Sequence, residues 1–304
     1  MNRTKYTFRL SLIVHNRFEL AKLALSSLLN QSYTDYEVYV SDNSDDLLFS
    51  NYVNELLNER INLKYIFRNN KLNGIEHINS VIDESMLFDF VMIFHDDDIL
   101  HPDFLENIVK LNEIDDINLA AIAINSLVIK NNFVTNKRIT CYKNNRKVFS
   151  KKDLVDSYFC YDSKGVPPFP GYLYRTSMLK NTRLHIKNGG KHSDLTFLID
   201  ILENGYFLWL EKPLMSYRIH MNNDSKTFSE NDRESLFAFL NNNLLLTKNA
   251  KTDFSLMILK EKYNNKLISK YCYILSLSKY IVRSIFEMRF FHILNVKIAK
   301  LKNI

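Results

Sequence analysis

The chain has 304 residues, 46% of them hydrophobic, with a formal net charge of +6, so it holds enough apolar material for a full core as one large domain or a domain with an appendage. Only six glycines leave no glycine-rich phosphate cradle, and the scattered Cys141, Cys160 and Cys272 fit neither a zinc spacing nor a disulfide framework, which reads as free thiols in a reducing compartment. The polar start Met1-Asn2-Arg3-Thr4-Lys5 lacks a signal-peptide pattern, and no stretch reaches the roughly 18 uncharged apolar residues of a membrane span, so a cytoplasmic chain that crosses no bilayer is expected.

Residues 8–14 alternate and then turn apolar, as a strand does, and residues 18–29 follow with Leu20, Leu23, Leu25 and Leu28 at helical spacing. The alternation repeats. Residues 36–40 predict a second strand ending in the polar turn Ser41-Asp42-Asn43-Ser44-Asp45, residues 48–57 a helix, 63–67 a third strand, 75–86 a third helix and 90–94 a fourth strand. Strands alternating with helices of about ten residues imply a parallel sheet covered by helices on both faces. In such sheets ligands sit at the carboxyl ends of the strands, which places Asp42 and the triplet Asp96-Asp97-Asp98 on one edge.

Three adjacent carboxylates directly after a buried strand repel one another, so they need either open solvent or a shared cation. Hard oxygen donors on a short turn suit Mg2+ or Mn2+. Pro102-Asp103 then opens another helix, residues 120–129 form a buried strand, and Phe169-Pro170-Gly171-Tyr172-Leu173-Tyr174-Arg175 reads as a strand hinged at its glycine. A helix runs from Ser193, a candidate N-cap, to about Asn204, where Gly205 stands at the usual left-handed stop; Asp194 lies in its first turn, favoured there by the helix dipole. A short strand over 207–210 and the segment 213–220 complete this half.

From about Ser229 the chain turns helical and basic. Residues 247–304 carry 12 Lys/Arg against 3 Asp/Glu, a net of +9, which leaves −3 for everything before. Single basic residues (Lys270, Lys279, Arg283, Arg289, Lys297, Lys300) punctuate apolar runs, a pattern open to three readings: a core-packing appendage, an oligomer contact, or a basic helix on an anionic membrane surface.

Taken in order, these segments resemble family 2 glycosyltransferases over roughly residues 8–225. The family opening is similar to Ile13-Val14-His15-Asn16-Arg17, its next signature to Leu29-Asn30-Gln31-Ser32-Tyr33, and its Asp-Asp-Gly-Ser turn to Ser41-Asp42-Asn43-Ser44-Asp45, with Asn43 in an acidic place and the glycine missing. Counting back from Pro102, the family's Asp-x-Asp-Asp-x-x-x-Pro motif falls on His95-Asp96-Asp97-Asp98, with His95 in the first aspartate's place. Asn73-Gly74-Ile75-Glu76-His77-Ile78-Asn79 resembles the family's Asn-x-Gly segment but lacks its Arg. His192-Ser193-Asp194 stands where the family has a Glu-Asp pair, and Tyr217-Arg218-Ile219-His220-Met221-Asn222-Asn223-Asp224-Ser225 resembles its Tyr-Arg-x-His ending.

The resemblance implies the GT-A fold: an α/β, mainly parallel, mixed sheet flanked by helices, with a glycosyltransferase domain over 1–228 (nucleotide-sugar half 1–112, acceptor half 113–228) and a basic helical region over 229–304. It implies an inverting enzyme in which Asp194 is the general base. Val14, Asn16, Arg17, Asp42 and Asp96 hold the nucleotide sugar, Asp42 accepting from the N3 hydrogen of uracil. Asp97 and His220 hold a divalent cation, Mn2+ or Mg2+, and His95, Asp98, Asn79 and Arg218 are further candidates, Asp98 with a capping alternative. The expected partners are a UDP-sugar and a bacterial surface-glycan or lipid-linked acceptor, with an anionic inner-membrane face through the basic helices and no nucleic acid. Richness in Lys, Asn and Ile suits an AT-rich bacterial genome. Two rivals stay open: a noncatalytic sugar-nucleotide or glycan-binding protein of the same fold, and a metal-dependent phosphohydrolase, although the Asp-x-Asp-x-Thr/Val spacing of the latter is absent.

Overall fold

The structure is a computed structural model that describes residues 6–220, 229–286 and 293; the expectations placed on Met221 to Ser225 and on Arg289, Lys297 and Lys300 lie outside the described residues. Strands β1 (Phe8–Val14), β2 (Tyr36–Asp42), β3 (Leu63–Phe67) and β4 (Phe90–His95) alternate with helices α1 (Phe18–Leu29), α2 (Leu48–Leu57) and α3 (Gly74–Glu84), as the periodicity predicts. There follow β5 (Ile99–Leu100), α4 (Phe104–Val109), β6 (Leu119–Lys130), β7 (Phe133–Arg138), β8 (Arg146–Val148), α5 (Lys151–Phe159), β9 (Tyr172–Arg175), α6 (Ser193–Ile201) and β10 (Tyr206–Arg218). Three helices close the chain: α7 (Glu230–Asn242), α8 (Lys248–Asn264) and α9 (Lys270–Phe286).

Among the described residues ten strands share one sheet with the central order β3-β2-β1-β4-β9-β6-β10-β5, and β7 and β8 add to β6 and β10. β1 pairs in parallel with β2 and β4, β2 with β3, and β6 with β10, while β9 runs antiparallel between β4 and β6 and joins the two halves. The pleat sorts side chains onto the two faces. Phe90, Met92 and Phe94 of β4, Ile122 and Ile124 of β6 and Leu208 of β10 enter one core with α1, whereas Val91, Ile93, Ala121, Ala123, Phe207 and Trp209 enter the other with α5 and α6. Both cores therefore run across the proposed halves. Trp209 is fully buried, so Trp209→Ala is expected to cost about 3–5 kcal/mol by opening a cavity, measured as a fall in the denaturant midpoint.

Local chemistry sets the element ends. The Asn73 side chain accepts from the backbone N–H groups of Ile75 (3.1 Å) and Glu76 (3.0 Å), and Glu76 accepts in return from Asn73 N (3.1 Å), a capping box that starts α3 at Gly74. Two expected ends differ. Ser193 is the first helical residue of α6, His192 precedes it as the cap, and no side chain caps this start. Gly205 is not in the left-handed region; a Cβ there would strike the Asn118 carbonyl oxygen, so close approach of the chain before β6 selects glycine. Gly171 closes a 3-10 turn instead of hinging a strand, and its bare Cα lets the Ile124 carbonyl pass (3.3 Å from a Cβ built there). The two segments expected at 207–210 and 213–220 are one strand, β10, whose register against β6 slips on either side of Pro213, where no N–H is available for the ladder.

The first two C-terminal helices are core-packing. Leu236 and Leu240 of α7 and Ala250 and Phe254 of α8 are buried in the second core, with the Phe254 ring stacked 4.1 Å from that of Phe159. Among the described residues no helix is long and apolar enough to cross a membrane.

Burial also fixes one pH response. His77 of α3 is buried, and its Nε2 lies 2.7 Å from Ser41 Oγ, which also accepts from Arg68 Nε at 2.9 Å. Burial, reinforced by the Arg68 charge, lowers the His77 pKa to about 4. The unfolded chain, with an ordinary imidazole near 6.5, then binds the extra proton between roughly pH 6.5 and 4, and stability falls as the pH falls through that window by up to about 3 kcal/mol. Thermal midpoints recorded across it should drop more steeply for the wild type than for His77→Gln.

Candidate active site

The site is built at the carboxyl edge of the sheet, where β4 delivers the acidic triplet. β5 pairs antiparallel with Met215 and Ser216 of β10, and His101 N donates to Leu214 O (2.8 Å), so the turn over 96–98 is clamped against a strand more than a hundred residues further along. The three carboxylates are buried and they are not equivalent. Asp96 accepts from Arg17 Nη1 (2.8 Å) through one oxygen and from His15 N (2.9 Å) through the other, which ties the end of β1 to the end of β4. Asp97 accepts from His220 Nε2 (2.8 Å) and more distantly from Arg17 Nη1 (3.4 Å). Asp98 accepts from Arg218 N (2.8 Å) through Oδ1, while its enclosed Oδ2 has no hydrogen-bond partner among the described residues.

Asp98 therefore does not cap the turn that follows it. Its free oxygen points to another role: donor atoms of His95, Asp97 and Asp98 lie within 4.8 Å of one another. An enclosed, unpartnered carboxylate oxygen beside a second carboxylate and an imidazole is a donor set that fits a small divalent cation. Burial pushes the Asp98 carboxyl well above the usual range, with the Asp97 charge adding to it, and burial raises Asp96 against the lowering pull of Arg17. Both shifts express the cost of excess negative charge in a dry turn. Arg218 offsets part of it: its Nε donates to the Asp97 carbonyl (2.8 Å) and Nη1 to Asn132 Oδ1 (2.8 Å), holding the tip of the β6–β7 hairpin over the turn.

The facing wall comes from the ends of β1 and β2. Val14 is buried opposite Asp42 in the β1–β2 register, and its carbonyl accepts from Asn43 N (2.9 Å). Asp42 is fully buried, accepting from Ser44 N (2.9 Å) and Tyr65 OH (2.9 Å). Asn16 adopts a left-handed conformation (φ 56°), which suits Asn, and its side chain exchanges hydrogen bonds with Asp45 (2.8 Å from Asp45 N, 2.6 Å to Oδ2). His15 Nδ1 donates to the Asn43 carbonyl (2.9 Å). In this structure Val14, Asn16 and Asp42 organise two interlocked turns. Asn79 is elsewhere: it donates to Leu184 O (3.0 Å) and accepts from Leu184 N (2.9 Å), fastening the segment before α6, and it is not brought into the acidic cluster.

Asp194 lies in the first turn of α6, partly buried, with Oδ1 accepting from Leu195 N (2.8 Å). Burial raises its pKa and the Leu195 N–H works against the rise. The hydroxyls of Tyr158 and Tyr174 are pushed up first by burial, and the Asp194 charge contributes to each. Phe169 links this helix to the acidic turn, since its ring lies 6.2 Å from that of His95 and 6.2 Å from that of Phe197 on α6. Sequence reasoning missed His15 and Tyr65, both of which act through hydrogen bonds between segments far apart in the chain. The tyrosines around Asp194 carry only a core signal in the sequence.

A parallel β-α-β half with an acidic turn at its carboxyl edge, joined through an antiparallel strand to a second half, is the architecture of GT-A enzymes. The sequence profile of glycosyl transferase family 2 matches residues 11–167, and the chain belongs to that family and is a glycosyltransferase. Among solved structures it is similar to S. aureus TarS in complex with UDP-GlcNAc (TM-score 0.62, 16% identity, covering 98% of this chain and 89% of that one). It is also similar to the mannosyltransferase PcManGT from Pyrobaculum calidifontis in complex with GDP-Man and Mn2+ (TM-score 0.53, 12% identity, 99% and 88% covered). At such identities the likeness is one of fold. No curated protein sequence matches the chain significantly.

Proposed function

We propose that the chain is an inverting glycosyltransferase that moves a sugar from a nucleotide sugar, UDP-linked, to a hydroxyl of a bacterial surface-glycan or lipid-linked acceptor presented at an anionic membrane face. The observation that carries the reading is the cluster of His95, Asp97 and Asp98 donor atoms within 4.8 Å at the carboxyl edge of β4, with Asp98 Oδ2 left without a partner among the described residues. His95, Asp97 and Asp98 would hold a divalent cation, with His220, on Asp97 Oδ2, orienting that carboxylate or joining it as a ligand. When bound, the cation supplies positive charge against the diphosphate as that group leaves. Nucleotide-sugar ligands in the TarS and PcManGT structures support the donor class.

The chain's own groups carry the remaining work. Arg17, which bridges Asp96 and Asp97 at the acidic turn, would turn from them to the diphosphate charge that accumulates as the sugar leaves. Asp42 would accept the N–H of the base in place of the Tyr65 hydroxyl that it now holds. Asp194 accepts the acceptor hydroxyl proton as that oxygen bonds to the anomeric carbon, and the bond to the diphosphate breaks on the opposite face. Holding donor and acceptor in line converts the encounter to a near-unimolecular step.

A panel of UDP-, GDP- and dTDP-sugars with Mn2+ tests this directly. Metal-dependent release of nucleoside diphosphate, strongest with one UDP-sugar, is the expected result. Release of inorganic phosphate from phosphomonoesters would favour the phosphohydrolase, and donor binding without any release with every acceptor would leave a noncatalytic binding protein.

A further inference from the structure

Among the described residues, helix α9 packs with one side and leaves the other exposed. The Tyr273 ring stacks on Tyr263 of α8 at 4.6 Å, and the Tyr280 ring meets that of Tyr161 at 6.0 Å, so the 273/280 side faces the protein. On the far side Tyr271 (75% exposed), Ile274 (51%), Val282 (52%) and Ile285 (53%), together with Leu275 and Ile281, lie open to solvent. At 100° per residue these six fall within a stripe of about 120°, the width of a face built to be buried. Lys270 and Lys279, both exposed, fall at its two borders on the same helical wheel. Neither makes a salt bridge among the described residues, and the sequence over 247–304 carries a net charge of +9.

We infer that this face of α9 docks on an anionic lipid surface, with the stripe entering the acyl boundary and Lys270 and Lys279 reaching the headgroups. The inference deepens the membrane-facing part of the proposed function and names the face that performs it. Charge decides the occupant. A second copy of the chain would bring the same lysine rims together across a two-fold axis, like charge against like, whereas anionic headgroups complement them. Lysine stems can lie along the apolar stripe while their ammonium groups stay in water, the geometry of an interfacial helix. A stripe this short of a span, on a helix packed against α8, lies on the bilayer and does not cross it.

Flotation of the full chain on phosphatidylcholine vesicles, with and without added phosphatidylglycerol, tests the inference. Binding should require phosphatidylglycerol and weaken as salt rises. Ile274→Asp/Val282→Asp should reduce it at least about tenfold, and Lys270→Glu/Lys279→Glu should lose about fivefold or more for each charge reversed; both variants should keep the wild-type circular dichroism and nucleotide binding. Vesicle binding that is absent in the wild type, or unchanged in the stripe variant, overturns the docking face. Loss of a dimer in the stripe variant by light scattering, with no vesicle binding in the wild type, would assign the face to a second copy instead. The two readings separate cleanly: nucleotide release without vesicle binding removes the docking face alone, and vesicle binding without nucleotide release removes the transferase alone.

Discussion

Asp97→Asn should abolish cation-dependent donor turnover, lowering kcat by about 10²–10³ while leaving the fold intact. The carboxylate is buried at the centre of the acidic turn, where His220 Nε2 (2.8 Å) and Arg17 Nη1 (3.4 Å) both donate to its Oδ2. An amide keeps the shape and an oxygen for Arg17 and His220, but it turns the other carboxylate oxygen into an N–H donor and removes the charge that a hard cation requires. Titration calorimetry with Mn2+ alone checks the metal half of the argument, and nucleoside diphosphate release checks the catalytic half. Asp98→Asn is the informative companion. An Asn retains an oxygen for Arg218 N, so the clamp between the turn and β10 survives, and only the unpartnered Oδ2 is lost as a donor. Mn2+ affinity should therefore fall in that variant with little change in thermal midpoint. An unchanged Mn2+ titration with a lowered midpoint would make Asp98 a purely structural anchor.

The parallel half was readable because each strand is an apolar run closed by a polar turn and each helix buries a stripe at helical spacing. Phe90 to Phe94 is the plainest case: residues on both sides of the strand are buried, so only a covered sheet could hold them. Distance along the chain limited the rest. Asp98 kept a capping role open beside its site role, since its partner, the Arg218 backbone, lies 120 residues away. Gly205 carried the usual signal of a helix stop, yet the Asn118 carbonyl is what excludes a side chain there. Asn79 sat in a segment resembling a donor-binding motif, and its pairing with Leu184 emerges only when α3 and the chain before α6 are side by side. Tertiary contacts, invisible to periodicity and spacing, assigned these three roles.

Asp194→Asn should lower kcat by about 10²–10⁴ with donor affinity nearly unchanged, because a general base acts in the transition state and hardly at all in ground-state binding. The side chain is partly buried and its Oδ1 is occupied by Leu195 N, which leaves Oδ2 to take the proton. An Asn at this site keeps the Leu195 contact and the first-turn position, so helix α6 should persist; a merely structural Asp194 would show its loss in thermal stability and not in kcat. The pH profile adds a sign. The base must be ionised to accept a proton, and burial raises its pKa above that of an exposed aspartate. Activity of the wild type should consequently fall, as the pH is lowered, earlier than a solvent-exposed carboxylate would predict, and the limb should be missing from the residual activity of Asp194→Asn. A kcat/KM profile that keeps the same acidic limb in the variant would assign that ionisation to another group and remove Asp194 from the proton transfer.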